Sequence, residues 1–406
     1  MRSAVLVLSA VVILSSTSPS QEAKIAARTS FRITVPVEIA SNLTYMKGRI
    51  NGSRPLNVVL DTGSSLSIVA PSIARQIGLS SSGSTETEGI GHGSSETLKL
   101  VQNATLAWGG NPTSLRLKAQ QIAILPIEYT ESQTGHATDA FFGSNLFKNF
   151  RITVDYERQQ AKFDAFEAPL PVGGESIPIE IKDGVPFVTA TLQASDGSPV
   201  TSRFLLDSGT TGSLVLSKLF LDAHPQLTAG RQYVDAPSVT AVGGTINLKL
   251  IRLAGLEVGA FHLTAPVAAV PQQPTGPLLA DPQMAGFIGA EIMRRFTVTW
   301  DYRNNRMWLI PNGHLGDPFE ADASGMHLST KLPDLKTVYV DAVLPGSPAD
   351  QAHLRPGDVL TTINGKPRLP LWQINDLLRR PGSTITLSVV REGKEFPVTL
   401  HLVRLV

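Results

Sequence analysis

Apolar and polar residues alternate over short runs through most of the chain, which is the pattern of half-buried β-strands. Typical runs are "FRITVPVEI" from Phe31, "LNVVL" from Leu56 and "LKLVQNATLAW" from Leu98, with Gly, Pro, Asn and Asp between such runs. Apolar residues at helical spacing stand out in "SNLFKNF" from Ser144 and "AEIMRRF" from Ala290. The pattern therefore predicts a mostly β protein with one short helix in each of two regions.

The same pattern occurs twice. "VVLDTGSSLSIV" from Val58 recurs as "FLLDSGTTGSLV" from Phe204, and the two acidic residues are 146 positions apart. "FFGSNLFKNFRITVDY" from Phe141 recurs as "FIGAEIMRRFTVTWDY" from Phe287 at the same offset, and two further pairs keep the order at offsets of 142 and 150. Matches that stay collinear indicate an internal duplication. The copies are predicted to span residues 30–168 and 172–316.

A third unit follows, in which the repeat is no longer visible. "PGSPADQAHLRPGDVLTTINGK", from Pro345, is typical of a strand, a short helix, a Pro-Gly-Asp turn and a second strand. "LPLWQINDLLRR" from Leu369 predicts an amphipathic helix, and the remaining sequence predicts a hairpin that turns at Glu392 and Gly393. We place this third domain at residues 320–406.

Composition narrows the function classes. The 406-residue chain is 42% hydrophobic and 17% charged, as expected for a multidomain globular protein. Its net charge of +1 gives no basic surface for nucleic acid, and the lack of cysteine excludes disulfides and thiol catalysis. Residues 1–20 have a basic start, an apolar core and small residues, which predicts a secretory signal peptide and a periplasmic or secreted protein. The alternative is a buried N-terminal element. No membrane span is expected after cleavage.

The repeated acidic turn suggests a chemistry. If the two copies pack about a pseudo-twofold axis, Asp61 and Asp207 meet there and share one proton. One carboxyl group then acts as general base on a water molecule while the other acts as general acid, without metal or cofactor. The flanking residues support this geometry with tight turns and hydroxyl groups: Thr62, Gly63, Ser64, Ser208, Gly209 and Thr210. We expect Thr62 and Ser208 to bond across the axis, and Ser64 and Thr210 to donate to the neighbouring Asp. The alternative is two ordinary surface turns.

The two Asp-Thr/Ser-Gly-Thr/Ser motifs, each followed by an apolar-apolar-Gly motif at Phe141–Gly143 and Phe287–Gly289, resemble the aspartic proteases of the pepsin and retropepsin group. The resemblance implies a bilobal β fold and a monomer whose two lobes form an intramolecular pseudodimer. It implies Asp61 and Asp207 as the catalytic dyad, with peptides or proteins as substrates. It also implies flaps over the cleft, and we place these at Gly91, His92, Gly93, Gly243 and Gly244. Ordinary hairpin tips are the alternative. Pepsin-like first flaps contain a Tyr that residues 89–97 lack.

The third unit resembles a PDZ domain of the bacterial protease type, an α+β fold, through the segment from Val343 to Lys366. The resemblance implies that it binds peptide C-termini or internal segments by strand addition. The peptide-binding loop is placed at Gly325, Met326, His327 and Leu328, with His327 expected on the surface or the rim.

Other chemistries find less support. The sequence contains no H-E-x-x-H motif, so a zinc protease is not predicted. A serine hydrolase would need its His and Ser from the segment "HGSS", His92 to Ser95, and sequence neighbours rarely form a catalytic triad. Two readings stay open. The first is an extracytoplasmic aspartic endopeptidase of bacterial type whose PDZ domain recruits substrates or partners. The second is a catalytically silent peptide-binding adaptor on a protease-like scaffold. The presence of both acidic turns favours the endopeptidase.

Overall fold

The computed structural model describes residues 31–87, 96–109, 114–242, 244–272 and 277–406. These residues form four β-sheets joined by short helices. The mostly β fold predicted from the alternating pattern is confirmed.

We call the elements of the first copy lobe 1. Its strands are β1 (Arg32–Pro36), β2 (Glu38–Ala40), β3 (Leu43–Ile50), β4 (Leu56–Leu60), β5 (Ser67–Val69), β6 (Gly83–Thr87), β7 (Glu96–Trp108), β8 (Leu115–Ile124), β9 (Ala140–Phe142), β10 (Arg151–Asp155) and β11 (Gln160–Asp164). Its helices are α1 (Pro71–Gln76), α2 (Glu128–Thr134) and α3 (Ser144–Phe147).

We call the elements of the second copy lobe 2. Its strands are β12 (Glu175–Pro178), β13 (Glu180–Lys182), β14 (Val185–Gln193), β15 (Pro199–Asp207), β16 (Leu214–Leu216), β17 (Tyr233–Ala241), β18 (Gly244–Arg252), β19 (Gly255–Val258), β20 (Phe261–Thr264), β21 (Val267–Pro271), β22 (Met284–Gly289), β23 (Phe296–Asp301) and β24 (Arg306–Pro311). Its α-helices are α4 (Lys218–Ala223), α5 (Pro277–Ala280) and α6 (Ala290–Met293).

The C-terminal unit contains strands β25 (Met326–Thr330), β26 (Val338–Val343), β27 (Val359–Ile363), β28 (Lys366–Pro367), β29 (Thr384–Arg391) and β30 (Lys394–His401), with helices α7 (Pro348–Gln351) and α8 (Leu371–Leu378). Its sheet has the order β25-β26-β27-β29-β30, so β25 is an edge strand. The predicted hairpin turn at Glu392 and Gly393 is present, because Arg391 pairs with Lys394. The unit has its own hydrophobic core, separate from that of the lobes.

The two lobes share one strand arrangement around the acidic turns. In lobe 1, β9 lies between β4, to which it is parallel, and β5, to which it is antiparallel. In lobe 2, β22 lies in the same way between β15 and β16. The strand before each acidic turn is therefore central in its sheet, and the residues that lead directly into the turn, Val58–Leu60 and Phe204–Leu206, are buried.

A six-stranded sheet joins the lobes, in the order β1-β11-β10-β23-β24-β12. At its centre Thr153 pairs with Thr299, its own equivalent 146 positions later, and the two hydroxyl oxygens are 2.8 Å apart. A residue that pairs with its own equivalent lies on the symmetry axis, so this pair marks the pseudo-twofold axis of the lobes.

The two helices predicted from periodicity, α3 and α6, follow the apolar-apolar-Gly motifs as expected. The structure adds other short helices that the sequence did not predict, among them α2 (sequence EYTESQT). This heptapeptide has no apolar stripe, so no periodicity marks it. It ends at Gly135, whose φ of +68° is the left-handed conformation that stops a helix.

Candidate active site

Asp61 and Asp207 lie at equivalent ends of the two central strands. Asp61 follows β4 and its main-chain N–H donates to Phe142 O over 3.1 Å, while Asp207 ends β15 opposite Gly289 of β22. Both side chains are fully buried. The duplication thus places two carboxyl groups at corresponding points of two buried sheets.

Hydroxyl groups tie the two acidic turns together across the axis. Thr62 Oγ1 donates to Leu206 O over 2.7 Å, and Ser208 Oγ donates to Leu60 O over 2.9 Å. In return Thr62 N–H donates to Ser208 Oγ and Ser208 N–H donates to Thr62 Oγ1, each over 3.0 Å. The cross-axis bonding expected from the sequence is present. These buried bonds fix the distance and orientation of one turn relative to the other.

The glycine of each turn brings a main-chain donor to the carboxylate before it. Gly63 N–H donates to Asp61 Oδ1 over 2.8 Å, and Gly209 N–H donates to Asp207 Oδ1 over 3.0 Å. A Cβ atom on Gly63 would be only 2.5 Å from Oδ1 of Asp207. The Asp207 carboxylate therefore packs directly on the turn that holds Asp61, and glycine is required there for close approach.

The hydroxyl groups that follow the glycines behave differently in the two lobes. Thr210 Oγ1 donates to Asp207 Oδ2 over 2.7 Å, as expected. Ser64 Oγ instead donates to Leu66 O over 2.6 Å, so the expected bond from Ser64 to Asp61 is wrong. The Oδ2 atom of Asp61 is buried and receives no hydrogen bond from the main chain or a hydroxyl group of the described residues. The two carboxyl groups thus have unequal environments.

Burial raises the pKa of Asp61 well above its ordinary 3.8, and the neighbouring charge of Asp207 raises it further. A hydrogen bond with the Asp207 carboxyl adds to this rise, whereas the Gly63 N–H opposes it by favouring the charged form. Two carboxyl groups this close titrate as a coupled pair, and the pair favours a state with one proton.

The apolar-apolar-Gly motifs support the turns from below. A Cβ atom on Gly143 would be 2.5 Å from the main-chain oxygens of Ser64 and Leu66. The next residue, Ser144, donates its N–H to Ser64 O over 2.9 Å, and in lobe 2 Ala290 N–H donates to Thr210 O over 2.8 Å. Each motif therefore holds the turn above it through main-chain contacts that a larger residue would block.

Comparison with known proteins agrees with this geometry. Residues 46–146 match the family model described as "Aspartyl protease". Residues 339–391 match the family model described as "PDZ domain". The resemblance to aspartic proteases and to PDZ domains is confirmed over these two segments.

Individual relatives cover the chain only in part. A probable periplasmic serine endoprotease DegP-like from Chlamydia trachomatis is 36% identical over 95 residues, which are 22% of this chain and 19% of the relative. DNA damage-inducible protein 1 from Phaeosphaeria nodorum is 24% identical over 135 residues, 33% of this chain and 27% of the relative. The chain thus spans about a fifth to a quarter of the length of these curated relatives. An aspartic proteinase structure from Irpex lacteus matches 71% of this chain and 99% of its own at 14% identity, with a TM-score of 0.45.

Most of the predicted flap residues lie outside the residues that the structure describes. Gly91, His92, Gly93 and Gly243 lie outside the described residues. In lobe 2, β17 and β18 form a hairpin whose last pair is Ala241 and Gly244, so Gly244 stands at its tip. Its role as a flap residue stays a prediction.

The predicted PDZ loop is wrong for three of its four residues, because Met326, His327 and Leu328 belong to strand β25. Gly325, with a φ of +74°, precedes this strand. His327 is 1% exposed, so its expected place on the surface or rim is wrong. Its Nδ1 atom is 3.2 Å from an Asp341 carboxylate oxygen, and burial lowers its pKa well below the usual value.

Two tyrosines whose pKa values are raised in part by the charges of Asp61 and Asp207 were missed by sequence reasoning. The hydroxyl groups of Tyr129, on α2, and Tyr302 are buried, with no hydrogen-bond partner among the described residues. Burial raises the pKa of both, and the charges of Asp61 and Asp207 contribute in each case. Tyr302 could have been noticed, because the repeated "DY" makes it the equivalent of Tyr156 in the other copy. Tyr129 has no such signal in the sequence.

Among the described residues, no helix combines the length and the apolar character that crossing a membrane requires.

Proposed function

We propose that the chain is an extracytoplasmic aspartic endopeptidase that hydrolyses peptide bonds with the Asp61/Asp207 dyad. The observation that supports this most directly is the pair of fully buried carboxyl groups, one packed on the turn of the other, with unequal hydrogen-bond donors. A buried acid pair of this kind has no structural use that apolar residues would not serve better, because burying carboxylates is costly.

The unequal environments assign the roles. Asp207 receives donors on both oxygens, from Gly209 N–H and from Thr210 Oγ1, which favours its charged form. Asp61 has a raised pKa and keeps the shared proton. Asp207 then removes a proton from a water molecule that attacks the scissile carbonyl carbon. Asp61 gives its proton to the carbonyl oxygen, which leaves a neutral tetrahedral gem-diol. Collapse of this intermediate with proton transfer to the leaving amine breaks the C–N bond and restores the single shared proton.

The remaining parts of the chain serve this reaction. We assign residues 1–20 to a signal peptide, 30–168 and 172–316 to the two protease lobes, and 320–406 to the PDZ domain. The PDZ domain recruits peptide C-termini or internal segments of substrates or partners. A periplasmic or secreted location follows from the signal peptide. One chain supplies both acids, so the active unit is a monomer.

Cleavage of a mixed peptide library by residues 21–406, from pH 3 to pH 8, tests the proposal. Asp61→Asn and Asp207→Asn remove one acid each without changing side-chain size, and Asp222→Asn on the exposed face of α4 is the matched control. We expect cleavage by the wild type and by Asp222→Asn, and loss of at least about 10³-fold in both dyad variants. Equal cleavage by all four proteins would exclude the dyad. Absence of cleavage by the folded wild type at every pH would favour the peptide-binding adaptor.

A further inference from the structure

The edge strand of the PDZ sheet is covered. All five residues of β25 are between 1% and 7% exposed, although β25 pairs with only one neighbouring strand, β26. An edge strand normally presents its free main-chain groups to solvent or to an added strand. Since peptides join PDZ domains by strand addition, the element that buries this edge competes with any peptide ligand.

The cover is helix α2 of lobe 1, which packs against β25. Thr330 Oγ1, at the end of β25, is 3.4 Å from the main-chain oxygens of both Glu131 and Ser132. Just after α2, Gly135 lies against the first residue of α8, since a Cβ atom added to it would be 2.5 Å from Leu371 Cβ. Lobe 1 therefore contacts both the end of β25 and the start of α8.

The contact is close but weakly bonded. Distances of 3.4 Å are long for O–H···O hydrogen bonds, whose common value is about 2.8 Å. An added peptide strand would replace them with regular main-chain hydrogen bonds along β25. On hydrogen bonding alone, a peptide strand is therefore a better partner for β25 than α2.

The same helix carries Tyr129. Its hydroxyl group is buried without a hydrogen-bond partner among the described residues, and the charges that act on it include those of Glu96, Asp61 and Asp207. A buried hydroxyl group without a partner among the described residues is unusual enough to call for a functional reason. Displacement of α2 would move this hydroxyl group, whose pKa the charges of Asp61 and Asp207 help to raise.

We propose that α2 is a displaceable cover of the PDZ peptide edge, and that an extended peptide pairing with β25 moves α2 together with the buried Tyr129 hydroxyl group that it carries. The partner is thus an extended peptide segment with a free main-chain edge. The effect on cleavage rests on the proposed function, whereas the competition between α2 and the peptide does not.

Gly135→Ala tests the cover, and Gly78→Ala is its matched control. Both glycines follow short helices of lobe 1 with nearly the same φ, +68° and +69°, so an added methyl group causes similar backbone strain. A Cβ at Gly135 meets Leu371, whereas a Cβ at Gly78 meets nothing within 4 Å. The comparison therefore isolates the contact between α2 and the PDZ domain.

Three readouts separate the steps: hydrogen exchange of the β25 amides, capture of a displayed library of random peptides with free C-termini, and cleavage of a peptide library. We expect Gly135→Ala to raise β25 exchange and peptide capture about tenfold and to change the cleavage rate, and Gly78→Ala to match the wild type. Unchanged exchange in Gly135→Ala would overturn the cover. Raised exchange without raised capture would overturn the competition. Changed exchange and capture without any cleavage in the wild type would leave the cover standing and reject the protease.

A reversible lock provides the opposite perturbation. The chain has no cysteine, so Ser132→Cys with Thr330→Cys introduces a single cross-link between α2 and β25. We expect the oxidised protein to lose peptide capture and the reduced protein to recover it, with each single variant unaffected by oxidant. Equal capture by the locked and reduced forms would contradict the proposal, and so would failure of the disulfide to form in the folded protein.

Discussion

The hydroxyl group of Thr210 donates a 2.7 Å hydrogen bond to Oδ2 of Asp207, and this bond has no counterpart in the other lobe. Ser64, the equivalent residue, donates to the main-chain oxygen of Leu66. A charge-assisted hydrogen bond to one carboxylate alone breaks the symmetry of the duplication. In the proposed mechanism, this bond favours the charge on Asp207, and the shared proton stays on Asp61.

Thr210→Val should lower kcat/KM about tenfold or more, because a hydrogen bond to a charged group is worth about 1.5–3 kcal/mol. The acidic limb of the pH–rate profile should move to higher pH, since a carboxylate that loses a donor is protonated more easily. A full pH–rate profile measures both effects. Thr210→Ser keeps the hydroxyl and should resemble the wild type. Ser64→Ala should leave the acidic limb of the pH–rate profile at its wild-type position. If Ser64→Ala shifted this limb as much as Thr210→Val does, the unequal roles assigned to Asp61 and Asp207 would be refuted.

Asp61→Asn should alter stability in a pH-dependent way. The pKa of Asp61 is raised in the folded protein above 3.8, so the folded state holds more protons than the unfolded state above that pH. Wild-type stability should therefore fall as pH rises from 3.8 through the folded-state pKa of Asp61. Asn cannot ionise, so it removes this pH dependence. Relative to the wild type, the free energy of unfolding of the variant should therefore be higher at pH 8 than at pH 3.5, by about 1.4 kcal/mol for each unit by which the pKa of Asp61 is raised. Urea denaturation at pH 3.5 and pH 8 measures the difference, and an equal difference at both pH values would contradict the shift.

The juxtaposition of the two acidic turns could be predicted because both copies of the repeat contain the same turn residues. Asp61, Thr62 and Gly63 recur as Asp207, Ser208 and Gly209, and equivalent residues of two copies meet at the axis between them. The cross-axis hydroxyl bonds followed from that symmetry alone. The mostly β fold followed from the alternation of apolar and polar residues.

What could not be predicted depends on contacts between distant segments. Ser64 and Thr210 have the same position in the motif, and only the finished turn decides that one bonds to main chain and the other to a carboxylate. His327 was expected near the surface because a polar residue in a loop usually lies there. The packing of lobe 1 on β25, between residues some 200 positions apart, has no trace in the local sequence.

Gly63→Ala should abolish activity while the protein still folds. The added Cβ would be 2.5 Å from Oδ1 of Asp207, so the carboxylate or the turn has to move. Overpacking of this kind costs about 1–3 kcal/mol, and displacement of a catalytic group lowers the rate at least about 100-fold. Gly83→Ala in β6, where a Cβ meets nothing within 4 Å, is the control. Cleavage rates and urea midpoints test this, and full activity in Gly63→Ala would mean that the two acids are not packed as described.

Asp301→Asn should weaken the joint between the lobes. Arg151 Nε donates to Asp301 Oδ2 over 3.0 Å, and the two side chains are 2% and 0% exposed, so the ion pair is buried within the sheet that both lobes share. Loss of the carboxylate leaves the guanidinium charge buried without its counter-charge, which costs about 3 kcal/mol. The exposed pair of Lys218 and Asp222 is the control, and Asp222→Asn should change stability by less than about 0.5 kcal/mol. Because each lobe supplies one acid, activity in Asp301→Asn should be lost at the same lowered urea concentration as tertiary structure. Activity that persists at urea concentrations above the unfolding transition would show that the two acids do not depend on this ion pair.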